Sequence, residues 1–514
     1  MQSLKEFAAY TKRTLSVKDT YALKANSIAL GLGGEVFVES VGALLAEEIK
    51  RSHKHRRSIA VVCGRGDKGA AGLATARHLL TSMAVSIFFT GDPSTITNSS
   101  TKINYKLVND IVEIKNITDD NVSHFAKDMS RSDLVLDAII GCGMHGHLPS
   151  LLINVITAIN RSGTHVISLD IPSGIDADTG MPNKVYVKSN HTFTAHKMKQ
   201  GLDKSKFVGP VMVVDVGIPI NAELFTGPGD VMLATEPRPM LSSKYTHGRI
   251  LVVGGSKDYH GAPLIATYAA ENAMSSLLTG AGYATIAVPK EVVDPVRKLS
   301  MELIVKPLDW DNAEGVVPAI AALKHDALVI GPGLEEREST EFIITSVIKS
   351  EKAKGNTIVV DADATRIMAK HKDLLGKNTI LTPHDGEFRN LSGINLKGAS
   401  LEERIKKAIS FAKTHGFTLV LKGHETIITN GDLLKINRPE TPVLATMGTG
   451  DALAGMIAAY SSIHKNQFES AAAAVYAHSK IGDMLYQKKG LHITAQDVIS
   501  GIPSVLKQFD TLRV

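Results

Sequence analysis

VLATMGTGDALAGMIAAY, residues 443–460, is a Gly-rich turn that runs straight into an apolar helical pattern. A helix N-terminus offers unpaired N–H groups and a partial positive charge. Glycines at that point let phosphate oxygens approach those groups closely. Upstream lie short β-branched runs: GRILVVGG (248–255), ATIAVP (284–289), ALVIGPGL (327–334), NTIVVDADA (356–364), NTILTPHDGE (378–387), TLVLKG (418–423) and ETIITN (425–430). Continuous apolar runs alternating with helical patterns predict a parallel sheet buried on both faces. In such sheets ligands bind beyond the carboxyl ends of the strands, where these Gly-rich segments fall.

The first half repeats the pattern with SIAVVCG (58–64), AVSIFFTGD (84–92), DLVLDAIIGCG (133–143), THVISLDIPSG (164–174), HTFTAH (191–196) and PVMVVDVG (210–217). Between the two series, residues 218–245 hold Pro219, Pro228, Pro237 and Pro239 and read as a linker. The expected organisation is two α/β domains, 1–222 and 235–514, joined by a linker over 223–240.

Composition narrows the function classes. The chain has 514 residues, 44% hydrophobic and 21% charged, the balance of a folded protein. Its 57 Lys plus Arg against 52 Asp plus Glu give +5, no case for nucleic-acid binding by bulk charge. No apolar run approaches the roughly 18–20 residues that span a bilayer. The 43 glycines against one Trp suggest an enzyme with many backbone-built loops, expected to be cytoplasmic and a homo-oligomer. Cys63 and Cys142 cannot make a disulfide framework or a multi-thiolate metal site, and neither is given a catalytic role.

Asp451 follows Gly448-Thr449-Gly450. A carboxylate beside an anion cradle is electrostatically costly, which suits a base that takes a proton from a hydroxyl attacking a phosphoryl group. The plainer reading is a helix cap. With GGSKDYHGAP (254–263), GPGLE (331–335), VVDADA (359–364), TPHDGEF (382–388) and KGHETII (422–428), the order of motifs over 240–505 resembles the C-terminal half of the bifunctional NAD(P)H-hydrate repair enzymes, on a ribokinase-like fold. The resemblance implies nucleotide-dependent dehydration of (6S)-NAD(P)H hydrate, with ADP preferred over ATP as donor and Mg2+ accompanying it.

By that resemblance Lys422, Gly423, His424, Glu425, Thr426 and Gly450 bind the nucleotide, while Ala262, Gly333, His384 and Asp451 contact the hydrate. Each has a bland alternative: a solvated strand-end lysine at Lys422, a loop brace at His384, simple turn glycines at Gly331 and Gly333. Glu387 is read equally as a water-mediated magnesium contact or a structural hydrogen bond. Asp385 stands where the family usually has proline, with consequences expected for loop stiffness or local charge.

Residues 14–220 resemble the NAD(P)H-hydrate epimerase domain, a Rossmann-like three-layer fold, through FVESVG (37–42), CGRGDKGAAG (63–72), LDAIIGCGMHG (136–146), LDIPSGIDADTG (169–180), FTAHKMKQGL and VVDVGIP. The resemblance implies interconversion of R and S hydrates and a potassium site. Implied substrate contacts are Asp67, Lys68, Gly69, Ala70, Ala71, Gly141, Cys142, Gly143, Met144, His145, Gly146, His147 and Asp170. Asp137 and Ser173 match potassium positions. The first loop departs from the family's GNNGGDG: Lys68 replaces an asparagine of the potassium site, Ala71 replaces an aspartate, and Ser40 replaces the asparagine of the usual MENAG. An ammonium is close to potassium in size and charge, so Lys68 is expected to act as a tethered cation, kept charged by Asp67 beside it. The rival reading is a surface lysine on a degraded domain that only binds nucleotide or stabilises its neighbour. For the whole chain, the alternatives are a small-molecule kinase of ribokinase-like fold, which leaves phosphate on its product, and a non-enzymatic nucleotide-sensing scaffold.

Overall fold

Alternation within the apolar runs builds both sheets. The computed structural model describes residues 2–143, 146–241, 247–275, 283–299, 303–335, 338–510 and 512–513. It falls into two units, one of Lys12–Pro219 and one of Met1–Thr11 with Ile220–Val514.

The first unit carries strands β1 (Ser58–Cys63), β2 (Ala84–Thr90), β3 (Ile114–Ile117), β4 (Leu134–Ala138), β5 (His165–Leu169), β6 (His191–Ala195) and β7 (Val211–Val214). They are all parallel, in the order β3-β2-β1-β4-β5-β6-β7. Ile59, Val61 and Cys63 face one core with α2 (Gly34–Ser52) and α3 (Asp67–Leu79). Ala60 and Val62 face another with Val155, Ile156 and Ile159 of α4 (Ser150–Arg161). The unbroken apolar runs follow from this burial on both faces. The order reverses between β1 and β4, so their carboxyl ends open a crevice, the place where such sheets take ligands. Helix α1 (Val17–Ala29) packs at that end and starts at Ser16, whose Oγ accepts the Asp19 N–H at 3.1 Å while Asp19 Oδ2 accepts the Ser16 N–H at 3.0 Å.

The second unit carries β8 (Arg249–Val253), β9 (Tyr283–Pro289), β10 (Ile304–Leu308), β11 (Ala327–Ile330), β12 (Thr357–Val360), β13 (Thr379–Leu381), β14 (Thr418–Leu421), β15 (Thr426–Thr429) and β16 (Leu434–Asn437). Their order is β10-β9-β8-β11-β12-β13-β14-β15-β16, and only β15 joins its neighbours antiparallel. Ile250 and Val252 face one core, Leu251 and Val253 the other. The helices that matter below are α5 (Pro228–Ala234), α6 (Gly261–Ser275), α7 (Asp385–Ser392), α8 (Leu401–His415), α9 (Thr449–Ile463) and α10 (Gln467–Lys489). Among the described residues no single helix is long and apolar enough to cross a membrane.

Two expectations about boundaries are corrected. Residues 1–11 belong with the second unit, not the first, because Leu4 and Phe7 are buried in its core beside Leu224. Residues 223–240 are not a free linker. Leu224 and Val231 are fully buried, and α5 is tied to β16 by the Asp230–Lys435 ion pair at 3.0 Å. Pro228 stands in the first turn of α5, where its missing N–H costs nothing, so it starts a helix rather than breaking one.

Candidate active sites

In the second unit the Gly-rich turn ends at α9. Gly448 caps this helix with φ of +86°, a left-handed conformation that a side chain disfavours. Thr449 Oγ1 donates to Leu444 O at 2.7 Å and pins the turn. Asp451 stands in the first helical turn. Burial, then the charge of Asp361, push its carboxyl up to about 7, with Asp363 and Glu387 adding and Lys422 opposing. A base poised near neutrality suits proton abstraction.

Lys422 ends the β14 run. Its Nζ donates to Asp361 Oδ1 at 3.1 Å, and Thr382 Oγ1 donates to the same oxygen at 2.6 Å. Burial works against the ammonium, but Asp361 and Glu387 outweigh it and hold the lysine above its ordinary value. Lys422 is therefore paired, not a solvated strand-end residue. A Cβ on Gly450 would lie 3.4 Å from Lys422 Nζ, which puts the helix amides beside the ammonium. Gly423 and His424 are exposed in the turn after β14, with Glu425 and Thr426 half-buried at the start of β15.

His384 does brace its loop. Its Nδ1 accepts the Gly386 and Glu387 N–H groups at 3.0 and 3.3 Å, capping α7. Glu387 returns the bond, taking the His384 N–H at 2.9 Å, so the structural reading of Glu387 is realised. The ring remains mostly exposed. The backbone N–H of Lys422 donates to Pro383 O at 2.8 Å and joins the two loops. Asp385 ion-pairs with Arg404 of α8 at 2.5 Å, so the residue found in place of proline ties this loop to a second helix. A Cβ on Gly331 would lie 1.9 Å from Asp361 O, and one on Gly333 2.4 Å from Tyr259 O. Both glycines permit close approach of strand-end loops. Ala262 stands half-buried in the first turn of α6. Sequence reasoning quoted Asp361 and Asp363 within VVDADA but gave them no role. The signal was an acidic pair at a strand's carboxyl end.

In the first unit a cavity of about 610 Å³ opens at the carboxyl ends of β1, β4 and β5. Asp67, Lys68, Ala71, Gly141, Cys142, Gly143 and Asp170 line it. Gly69 and Ala70 do not. A Cβ on Gly69 would lie 1.8 Å from Gly64 O, and Ala70 is buried in the core, so that face of α3 packs inward. Gly146 and His147 are exposed and not among the lining residues. Met144 and His145 lie outside the described residues.

Lys68 is not a surface lysine. Its Nζ, buried, lies 3.1 Å from Asp137 Oδ2, 3.1 Å from Ser173 Oγ, 3.0 Å from Ile140 O and 2.7 Å from Ile171 O. Burial draws its pKa below the ordinary lysine value while Asp137 pushes back. Asp67 does not keep it charged. That carboxylate turns to Lys24 at 2.5 Å and to Asn98 Nδ2 at 2.8 Å.

Asp170 takes φ of +62°, unusual for a non-glycine residue and held by its partners. Lys199 Nζ stands 2.9 Å from Oδ1, Thr194 Oγ1 donates at 3.0 Å, and Cys142 Sγ donates to Oδ2 at 3.3 Å. Burial alone would raise this carboxyl, yet Lys199 and these donors hold it below its ordinary value. Burial and Asp170 keep Cys142 a thiol. Lys199, within the quoted FTAHKMKQGL, and Tyr21 were missed, and both line the cavity.

A family described as NAD(P)H-hydrate dehydratase matches residues 250–504, and one described as YjeF-related protein N-terminus matches 34–201. A bifunctional NAD(P)H-hydrate repair enzyme of Pyrobaculum aerophilum is 32% identical over 96% of this chain and 99% of its own length. One of Methanothermobacter thermautotrophicus is 32% identical over 95% of this chain and 94% of its own. Among solved structures, an ADP/ATP-dependent NAD(P)H-hydrate dehydratase of Bacillus subtilis is 27% identical over 54% of this chain and 96% of its own, with a TM-score of 0.45.

Proposed function

The chain belongs to the bifunctional NAD(P)H-hydrate repair enzymes, and from that premise we propose how its two sites divide the work. The second unit dehydrates (6S)-NAD(P)H hydrate, and the first interconverts the R and S hydrates that feed it. The observation that carries the reading is Asp451, pushed up to about 7 at the N-terminus of α9.

Hydroxide is a poor leaving group from C6 of the hydrated ring. Asp451 takes the proton of that hydroxyl, whose oxygen bonds to the terminal phosphorus of the nucleotide as the bridging P–O bond breaks. The N1 lone pair then expels phosphate from C6, and loss of the C5 proton restores the dihydropyridine. The amides at Thr449 to Asp451 and the Lys422 ammonium face the charge that moves onto the phosphoryl oxygens. Lys422, Gly423, His424, Glu425, Thr426 and Gly450 take the nucleotide, and Ala262, Gly333 and His384 border the hydrate. The Asp361 and Asp363 carboxylates around Asp451 suit Mg2+ that arrives on the nucleotide and keeps its waters. ADP is the preferred donor, on the fused two-domain architecture, and the cytoplasm is the place of work.

In the first unit Asp170 and Lys199 form a charged pair at the cavity wall, and Asp137 with Ser173 grips the Lys68 ammonium. These residues do not fit a free potassium ion, because the ammonium already stands among the four oxygens a cation would use. Lys68 is the tethered cation of an active epimerase site.

The test is to supply mixed R and S hydrates with ADP or ATP, and to follow restored NAD(P)H absorbance alongside phosphate. One nucleotide consumed and one phosphate released per hydrate is expected. A stable phosphorylated product would favour a small-molecule kinase instead.

A further inference from the structure

Far along the sequence from one another, His53, His165 and His191 meet in the first unit. His165 opens β5 and His191 opens β6, so both stand at the amino ends of their strands, opposite the carboxyl ends that form the cavity. His53 closes α2. One ring nitrogen from each residue lies within 4.8 Å of the others. The ring centroids are 5.3 Å apart for His53–His165 and His165–His191, and 5.7 Å for His53–His191.

Two observations make this more than a packed corner. His53 Nδ1 is buried and has no hydrogen-bond partner, an expensive state for a polar atom. His165 Nε2 and His191 Nδ1 have only a long 3.4 Å contact with each other.

Three imidazoles with no carboxylate or thiolate among them suit the borderline divalent ions, of which zinc is the commonest. Zinc–nitrogen bonds of about 2.0–2.1 Å set tetrahedral ligand nitrogens roughly 3.3 Å apart. Binding an ion there requires the half-buried rings to turn until that gap closes. We propose that His53, His165 and His191 form a three-histidine site for Zn2+, with water in the fourth position. The ion ties the C-terminus of α2 to the ends of β5 and β6. Helix α2 contributes Phe37, Val38 and Val41 to the cavity wall at its other end, so the clamp fixes that wall without entering the reaction.

The experiment uses the full chain without a polyhistidine tag, stripped with EDTA. Zn2+ is titrated calorimetrically, and Co2+ is added as a spectroscopic probe of nitrogen ligation. Expected are one tight equivalent per chain, a ligand-field spectrum of imidazole-bound Co2+, and a rise in the melting temperature of the first unit. His53→Gln and His191→Gln should each weaken binding by about 100-fold or more, since loss of mere supporting partners already costs 10–100-fold. Circular dichroism in EDTA checks that both variants fold, and His53, at a partly exposed helix end, is the safer site. Absence of a saturable equivalent in the wild type overturns the proposal. So does unchanged binding in a folded variant, which would leave the three rings as packing alone.

Discussion

The Lys422 ammonium donates to Asp361 Oδ1 at 3.1 Å, and the two charges act on Asp451 with opposite sign. Asp361 raises the Asp451 pKa and Lys422 lowers it, while burial supplies the largest push. A base must be ionised to act, so dehydration turnover should climb as pH rises through about 7. Asp361→Asn removes one raising charge and frees Lys422, and both changes move the acid limb to lower pH. A kcat profile between pH 5 and 9 reads this. An unmoved limb would mean that Asp361 does not set the Asp451 pKa.

Asp451→Asn should cost about 10²–10⁴-fold in turnover while nucleotide still binds. Stability should move the other way. A carboxyl raised on folding carries no penalty below its unfolded value near 3.8 and an increasing one as pH rises towards about 7. The variant should therefore melt higher than wild type at pH 8 and alike at pH 4. Wild-type-like turnover would remove Asp451 from the mechanism.

Lys68 supplies the third prediction. R-to-S conversion by the wild type should be nearly indifferent to exchanging potassium for tetramethylammonium. Lys68→Asn should convert slowly and regain rate when potassium is added, because Asp137, Ser173 and two carbonyls remain to bind it. Strong potassium dependence in the wild type would end the tethered-cation idea. Absence of conversion in every condition would show the domain to be degraded.

A fragment starting at residue 235 loses Leu224, Val231 and the Asp230–Lys435 pair, and should be insoluble or strongly destabilised. One starting at 220 keeps them and should dehydrate the S hydrate, with a lower melting temperature because Leu4 and Phe7 are missing. Equal stability of the two fragments would contradict the packing of α5.

Much of this was legible because the chemistry is written in backbone. The Gly448–Asp451 turn, the KGHE loop and the apolar strands each follow from local rules of phosphate cradles and two-faced burial. What stayed hidden depended on which way a side chain turns after tertiary contact. Gly69 and Ala70 stand in a loop-like motif yet pack inward on α3. Asp67 precedes Lys68 but pairs with Lys24, while Lys68 reaches Asp137, 69 residues away. Lys199 acquires its meaning only where it meets Asp170. Four prolines looked like a linker because a proline that starts a helix and one that ends it are the same letter.

The burial of Leu4 and Phe7 in the second core sets an order of assembly for the chain. Topologically, the entire first unit is an insertion between Thr11 and Ile220 of the other. Leu4 and Phe7 must wait for their docking place. At roughly 5–20 residues per second, the ribosome takes on the order of 10–40 seconds to bring Ile220 out after them. Throughout that interval Leu4 and Phe7 are unsheltered apolar side chains. A bulky group fused ahead of Leu4 would thus disturb the second unit, leaving the first intact. Excising the insertion by joining residue 11 to residue 220 should turn a discontinuous domain into a continuous one.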